Sequence, residues 1–247
     1  MKLNGFKIRQ FILDVLFPIK CLGCQKEGNW LCEQCLAKLR FYNHYSCPHC
    51  DSPNISGAVC GYCRKIYHLD GLMVILENSQ LAKQLINSIK YNFIVDLVKC
   101  LEPKLSEYFN RNPWWRDFYV LTPVPLHRRR FLERGFNQSE LICQAIGEIK
   151  GNEINNSLLK KVKYHHPQVG LKAKTRQINV IGSFKVNATP SNDYNKTIVL
   201  VDDVYTTGST LEECAKVLKE NGCHEVQFCT WDRAADKCLD IYNSMLT

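Results

Sequence analysis

Thr197–Thr210 reads TIVLVDDVYTTGST, and how this stretch is interpreted decides the fold. Ile198–Val201 is an apolar run without alternation, the pattern of a strand buried on both faces of a parallel sheet. It delivers two adjacent carboxylates, Asp202 and Asp203, to its carboxyl end. The turn Thr206, Thr207, Gly208, Ser209 and Thr210 follows, and GSTLEECAKVLKENG then reads as a helix ending at Gly222. Small hydroxyls and backbone N–H groups at a helix N-terminus suit a phosphate dianion. Carboxylates one step earlier suit sugar hydroxyls, or the waters of a Mg²⁺ ion. A plain strand with a capped helix needs neither the second acid nor the hydroxyl-rich turn.

Working outward, the same alternation recurs. FYVLTPVP reads as a strand running into a loop, and NQSELICQAIGEIKG as a helix that Asn137 or Ser139 caps. LLKKVKY reads as another strand, and HEVQFCTW as the last. Upstream, GLMVILEN is a strand, while SQLAKQLINSIKYN and VDLVKCLEPKLSEYF carry apolar residues three and four apart, as helices do. Strand–loop–helix repeats predict an α/β fold with a mainly parallel sheet, and ligands outside the carboxyl ends of its strands.

Residues 21–66 have a different texture. Of fourteen cysteines, eight form pairs two residues apart: Cys21/Cys24, Cys32/Cys35, Cys47/Cys50 and Cys60/Cys63. A two-residue gap lets both thiolates of a knuckle face one zinc, and two knuckles complete a tetrahedral four-sulfur site. Eight ligands predict two structural zinc ions. Sequential pairing closes the shorter loops and is favoured over a cross-brace of first with third and second with fourth. His44 and His49 stand near but are not needed as ligands. The boundary with the α/β domain falls near residues 64–70, giving a ribbon of 1–66 and a domain of 67–247. A piece of roughly 65 residues wants such a staple, whereas one of roughly 180 buries a core unaided.

The hydrophobic fraction of 45% argues against disorder, and the net charge of +8 permits phosphate partners without proving them. The first twenty residues read as a short amphipathic helix (Phe6, Ile8, Ile12, Leu13, Val15, Leu16 and Phe17) that Pro18 stops. The stretch has no small-residue cleavage site and is too short to span a bilayer. A reducing cytoplasm is the expected location, and there paired cysteines bind metal rather than oxidise.

VLVDDVYTTGST resembles the phosphoribosyl-pyrophosphate motif of type I phosphoribosyltransferases. With LTPVPLHRRRFLERGFNQSELI and RQINVIGSF, the chain is similar over nearly its whole length to the ComF (competence protein F) family, which also carries an N-terminal double zinc ribbon. The resemblance implies a type I phosphoribosyltransferase fold that binds phosphoribosyl pyrophosphate with Mg²⁺. Asp202 and Asp203 match the acids that hold the ribose hydroxyls, and Thr206, Thr207, Gly208, Ser209 and Thr210 the loop around the 5′-phosphate. Pro123, Val124, Pro125, Leu126 and His127 match the pyrophosphate loop, with Arg128, Arg129, Arg130 and Arg134 close enough to neutralise it. Residues 164–176, with Lys172, Lys174 and Arg176, match the loop that closes over substrate.

One departure concerns transfer chemistry. Purine enzymes of this type place an aspartate where Thr206 stands, to take a proton from the base, and Thr206 cannot do so. Any base-binding hood must come from residues 67–117, with Lys90 and Tyr91 as candidates to face the site. Three readings follow: a ComF-type protein that handles DNA during uptake by competent cells, a transferase with an unidentified acceptor, and a regulator that senses phosphoribosyl pyrophosphate. Partners on the first reading are single-stranded DNA and other DNA-uptake proteins. Its contacts would be Lys160, Lys161, Lys163, Lys172, Lys174, Arg176 and Arg128–Arg130.

Overall fold

The computed structural model describes residues 18–91, 96–112, 115–116, 119–164, 180–187 and 196–233. The expected N-terminal helix therefore lies almost wholly outside the described residues, as do Lys172, Lys174 and Arg176. Apolar runs become the strands β1 (Gly71–Val74), β2 (Val120–Pro123), β6 (Ile198–Tyr205) and β7 (Val226–Arg233). A short β3 (Glu153–Ile154) had no apolar run to announce it. These five form one sheet in the order β1-β7-β6-β2-β3, and every neighbouring pair is parallel.

The helices follow the 3.6-residue period. After the four-residue α1 (Glu33–Leu36) come α2 (Gln80–Tyr91) and α3 (Asp96–Arg111). Then follow α4 (Arg128–Arg134), α5 (Gln138–Lys150) and α6 (Ser209–Glu220). In α3, Leu97, Val98, Leu101, Leu105 and Phe109 are all buried, a stripe three and four apart that covers one face of the sheet with part of α5. In α6, Leu211, Cys214, Ala215 and Leu218 cover the other face. The stripes of α2 and α3, where a hood was sought, are spent in this core: Leu85, Ile86 and Ile89 of α2 belong to it too. The side chains of Lys90 and Tyr91 lie outside what is described.

Connectivity places the site. From β2 the chain passes through α5 to β3 on one side, and from β6 through α6 to β7 on the other. The two crossovers thus leave adjacent strands in opposite directions, with helices on opposite faces. That is a topological switch point, and it opens a crevice at the carboxyl ends of β2 and β6.

One expectation is corrected. LLKKVKY does supply a strand, β4 (Leu159–Lys161), but it pairs antiparallel with β5 (Phe184–Val186) in a separate two-stranded sheet. Only Leu159 and Phe184 of the pair are buried, so β4 and β5 have one face to bury, as an antiparallel ribbon does.

The cysteine-rich segment lies against β1. Phe41 bridges Leu76 and Ala58 bridges Gly71, both antiparallel, and the Tyr42 N–H donates to the Ile75 carbonyl at 2.9 Å. Cys21, Leu31, Cys35 and Leu39 belong to the same buried core as Met73, Leu85 and Leu101.

Candidate functional site

At the crevice, Asp202 and Asp203 lie in the last half of β6, half-buried. The Ser139 hydroxyl, in the first turn of α5, donates to Asp202 Oδ1 at 2.8 Å and fixes that carboxylate. Thr230 Oγ1 on β7 donates to the Asp203 carbonyl at 3.0 Å. The residue that caps α5 is Asn137, whose Oδ1 accepts from the Ser139 N–H at 3.2 Å, which leaves the Ser139 hydroxyl for Asp202.

Asn137 also donates through Nδ2 to the Val124 carbonyl at 3.1 Å, while the Val124 N–H donates to the Val201 carbonyl at 2.9 Å. The loop after β2 is thereby held beside the acid pair. Val124 is buried, and Pro125, Leu126 and His127 are half-buried. His127 caps α4 by accepting from the Arg129 N–H through Nδ1. Arg128 and Arg129 are exposed, Arg130 and Arg134 half-buried. Arg129 stands over the Tyr164 ring at 4.9 Å and 3.6 Å from Glu133.

Thr206 is exposed and Thr207 half-buried, and Thr207 Oγ1 and Ser209 Oγ share a hydrogen bond of 2.9 Å. Gly208 takes the N-cap position of α6 with φ of +72°, a left-handed conformation, and no side chain caps the helix. The Leu211 N–H turns back to the Gly208 carbonyl at 3.0 Å, and the N–H groups ahead of it, with no side-chain cap, are of the kind that suits an anion. A Cβ at Gly208 would stand 2.7 Å from Tyr205 Oη, so the residue is constrained twice.

The sequence missed two contributors. Ser139 read as a cap alternative, though a hydroxyl in the first turn after a strand–loop was the available signal. Lys161 read as part of a basic run, but its backbone bridges His127 and its side chain is half-buried near the acid pair. Burial pulls the Lys161 ammonium below its usual range, against the opposing charge of Asp202.

Each cysteine set comes together as sequential pairing predicts. The thiols of Cys21, Cys24, Cys32 and Cys35 lie within 4.8 Å of one another, as do those of Cys47, Cys50, Cys60 and Cys63. The Cys32 N–H donates to Cys21 Sγ at 3.3 Å, and the Cys60 N–H to Cys47 Sγ at 3.5 Å. Burial pushes the Cys21 thiol up, but the N–H groups of Cys32, Cys24 and Gly23 outweigh it and bring it down to about 6. Cys35 goes the other way, to about 12, through burial and the neighbouring thiols. Four thiols this close cannot all ionise without a cation among them, and a zinc ion would supply it. The two tetra-cysteine groups fit two structural zinc ions.

The second set also touches the crevice. Tyr205 Oη donates to the Pro48 carbonyl at 3.3 Å, and His49 Nε2 stands 3.1 Å from Glu212 Oε1 in the first turn of α6. His49 stacks flat on Tyr67 with ring centroids 3.7 Å apart. Glu212 accepts from the His68 and Leu69 N–H groups at 2.9 and 3.3 Å. Burial raises its carboxyl, but His49 and these N–H groups prevail and hold it below the usual range.

Comparison with known proteins agrees with this geometry. Residues 12–64 match the double zinc ribbon domain and residues 140–244 the phosphoribosyl transferase domain. Competence protein F of Haemophilus influenzae is 27% identical over 85% of this chain and 95% of its own. Competence protein ComFC of Bacillus subtilis is 26% identical over 86% of this chain and 87% of its own. The DNA utilization protein YhgH of Escherichia coli is 28% identical over 85% and 95%. The chain is a phosphoribosyltransferase-fold protein carrying a double zinc ribbon. Within that class it is similar over most of its length to the competence proteins F and ComFC.

Proposed function

We propose that the protein binds phosphoribosyl pyrophosphate with Mg²⁺ in the crevice between β2 and β6, and handles incoming single-stranded DNA in the cytoplasm during natural competence. Residues 1–66 and 67–247 are its two units on this reading. The observation that carries the ligand is the acid pair Asp202–Asp203, fixed through Ser139 and followed by the uncapped α6 N-terminus at Gly208. Asp202 and Asp203 would accept from the ribose hydroxyls. Thr206, Thr207, Ser209 and Thr210, with the amides after Gly208, would surround the 5′-phosphate. Val124, Pro125, Leu126 and His127 would face pyrophosphate, with Arg134 and Lys161 supplying charge. Mg²⁺ would neutralise the pyrophosphate.

The DNA role is supported by the names of the relatives, two competence proteins and a DNA utilization protein, and by the charge of +8. No described helix is long and apolar enough to cross a membrane. Binding is favoured over transfer to a purine because Thr206 cannot act as a base.

Calorimetry with phosphoribosyl pyrophosphate and Mg²⁺, beside an assay for pyrophosphate release, tests the ligand. Heat without release is expected, and no heat would remove the reading. For DNA, each neutralised phosphate releases counterion, so single-strand affinity should fall with a log–log salt slope of about −0.7 per contact. A salt-independent affinity would place the DNA contacts away from the lysines and arginines named.

A further inference from the structure

The residues between the ligands of the second cysteine set do more than close a knuckle. Pro48 and His49 lie between Cys47 and Cys50, and each reaches one side of Gly208. Pro48 accepts from Tyr205, three residues before it, and His49 meets Glu212, four residues after it. Tyr205 is buried, and its hydroxyl fills the space a side chain at Gly208 would occupy. Further along the same knuckle, Asp51 and Ser46 bond to Arg233, the last residue of β7, whose guanidinium stands 5.8 Å from the Tyr205 ring centroid. Three elements that end at the crevice are thus gripped by one six-residue stretch, Ser46–Asp51.

We propose that the second cysteine set positions the phosphate loop. With metal among its thiols, the turn 47–50 is rigid and holds Tyr205 and Glu212 at a fixed separation around Gly208. Metal at that set and phosphoribosyl pyrophosphate at the loop therefore stabilise one another. Without the metal the turn loosens, Tyr205 Oη loses its acceptor, and the α6 amides lose their aim. The first set is placed differently: its buried thiols meet the core formed with α2 and α3. Pro48, His49 and Tyr205 are positioning residues, since none touches the ligand in this account. The inference rests on the ligand reading above. By reciprocity, any factor by which metal improves ligand binding is the factor by which ligand improves metal binding.

The test is a chelator challenge of the full zinc-loaded chain with and without phosphoribosyl pyrophosphate and Mg²⁺. Exposed thiols are alkylated and read peptide by peptide by mass spectrometry. Ligand should slow alkylation of Cys47, Cys50, Cys60 and Cys63 by about tenfold and leave Cys21, Cys24, Cys32 and Cys35 unchanged, the tenfold corresponding to about 1.4 kcal/mol of coupling. Tyr205→Phe keeps the ring and removes only the hydroxyl. It should bind ligand several-fold more weakly by calorimetry and lose the selective protection, while its melting temperature stays near wild type. A His49→Gln variant should show the same pair of effects. Equal protection of both sets, or none, in a protein that does bind the ligand would overturn the coupling alone. Failure of wild type to give any binding heat would overturn the ligand reading and the coupling with it.

Discussion

The two cysteine sets share one ligand pattern and differ in what surrounds them. Cys21 and Cys35 are buried in the main core, continuous with Leu31, Leu39 and the helices that cover one face of the sheet. Cys47 and Cys63 share a separate small cluster with Val59, and the second set is fastened to the domain by hydrogen bonds to Tyr205 and Arg233, with His49 3.1 Å from Glu212 between them. Apolar contact is forgiving of angle and sustains stability, whereas hydrogen bonds at fixed distance transmit position. The same CxxC knuckle therefore serves as core filler in one place and as a brace in the other.

The comparison can be broken in four ways, in order of expected effect. Replacing both Asp202 and Asp203 with alanine should abolish the ligand-induced melting shift while the sheet stays folded. In wild type, ligand at a hundred times its Kd stabilises by about 2.7 kcal/mol, so the loss is easily read. Equal shifts in both proteins would place the ligand elsewhere. Cys21→Ser comes next and separates the two sets. It removes a metal ligand from the main core, a change worth roughly 4 kcal/mol, and should lower the melting temperature by about 8 to 16 °C. Cys50→Ser should lower it less and weaken phosphoribosyl-pyrophosphate binding more. The reverse ranking would erase the distinction drawn between the sets.

Gly208→Ala is smaller. A side chain at φ +72° costs about 1 to 2 kcal/mol, and the added carbon displaces the Tyr205 hydroxyl. Calorimetry should show binding roughly tenfold weaker, and unchanged affinity would mean that the loop tolerates a shift the brace forbids. Ser139→Ala is the smallest: it removes one hydrogen bond from the Asp202 carboxylate and should weaken binding by about threefold, about 0.65 kcal/mol and so near the lower end of what one hydrogen bond contributes. Unchanged affinity there would show that the orientation of Asp202 does not depend on Ser139.

Much of this was legible in the chain. Apolar runs placed β1, β2, β6 and β7, helical stripes placed α2, α3, α5 and α6, and the two-residue gaps marked both cysteine sets. Each of those signals is local. The antiparallel pairing of Leu159–Lys161 with Phe184–Val186 was not legible, because three-residue strands carry too little pattern to reveal a partner. Nor was the role of His49, set aside as a spectator beside eight better ligands, because Glu212 stands 163 residues further along. Tyr205 and Pro48 are 157 residues apart, and no periodicity connects them.

The backbone pairing of the cysteine-rich segment with β1 has a consequence for solubility. As the outermost strand of its sheet, β1 would present open N–H and C=O groups, a template for strands of other molecules. The Leu72 N–H instead donates to the Gly57 carbonyl, and the Glu77 N–H to that of Arg40, both at 2.9 Å, while Tyr108 Oη donates to the Val74 carbonyl. Gly57 lies in the loop between Cys50 and Cys60, and Arg40 between the two cysteine sets. Metal starvation should therefore uncover an aggregation-prone sheet edge. Light scattering should register assemblies growing with protein concentration as the zinc is stripped, before the α/β core melts.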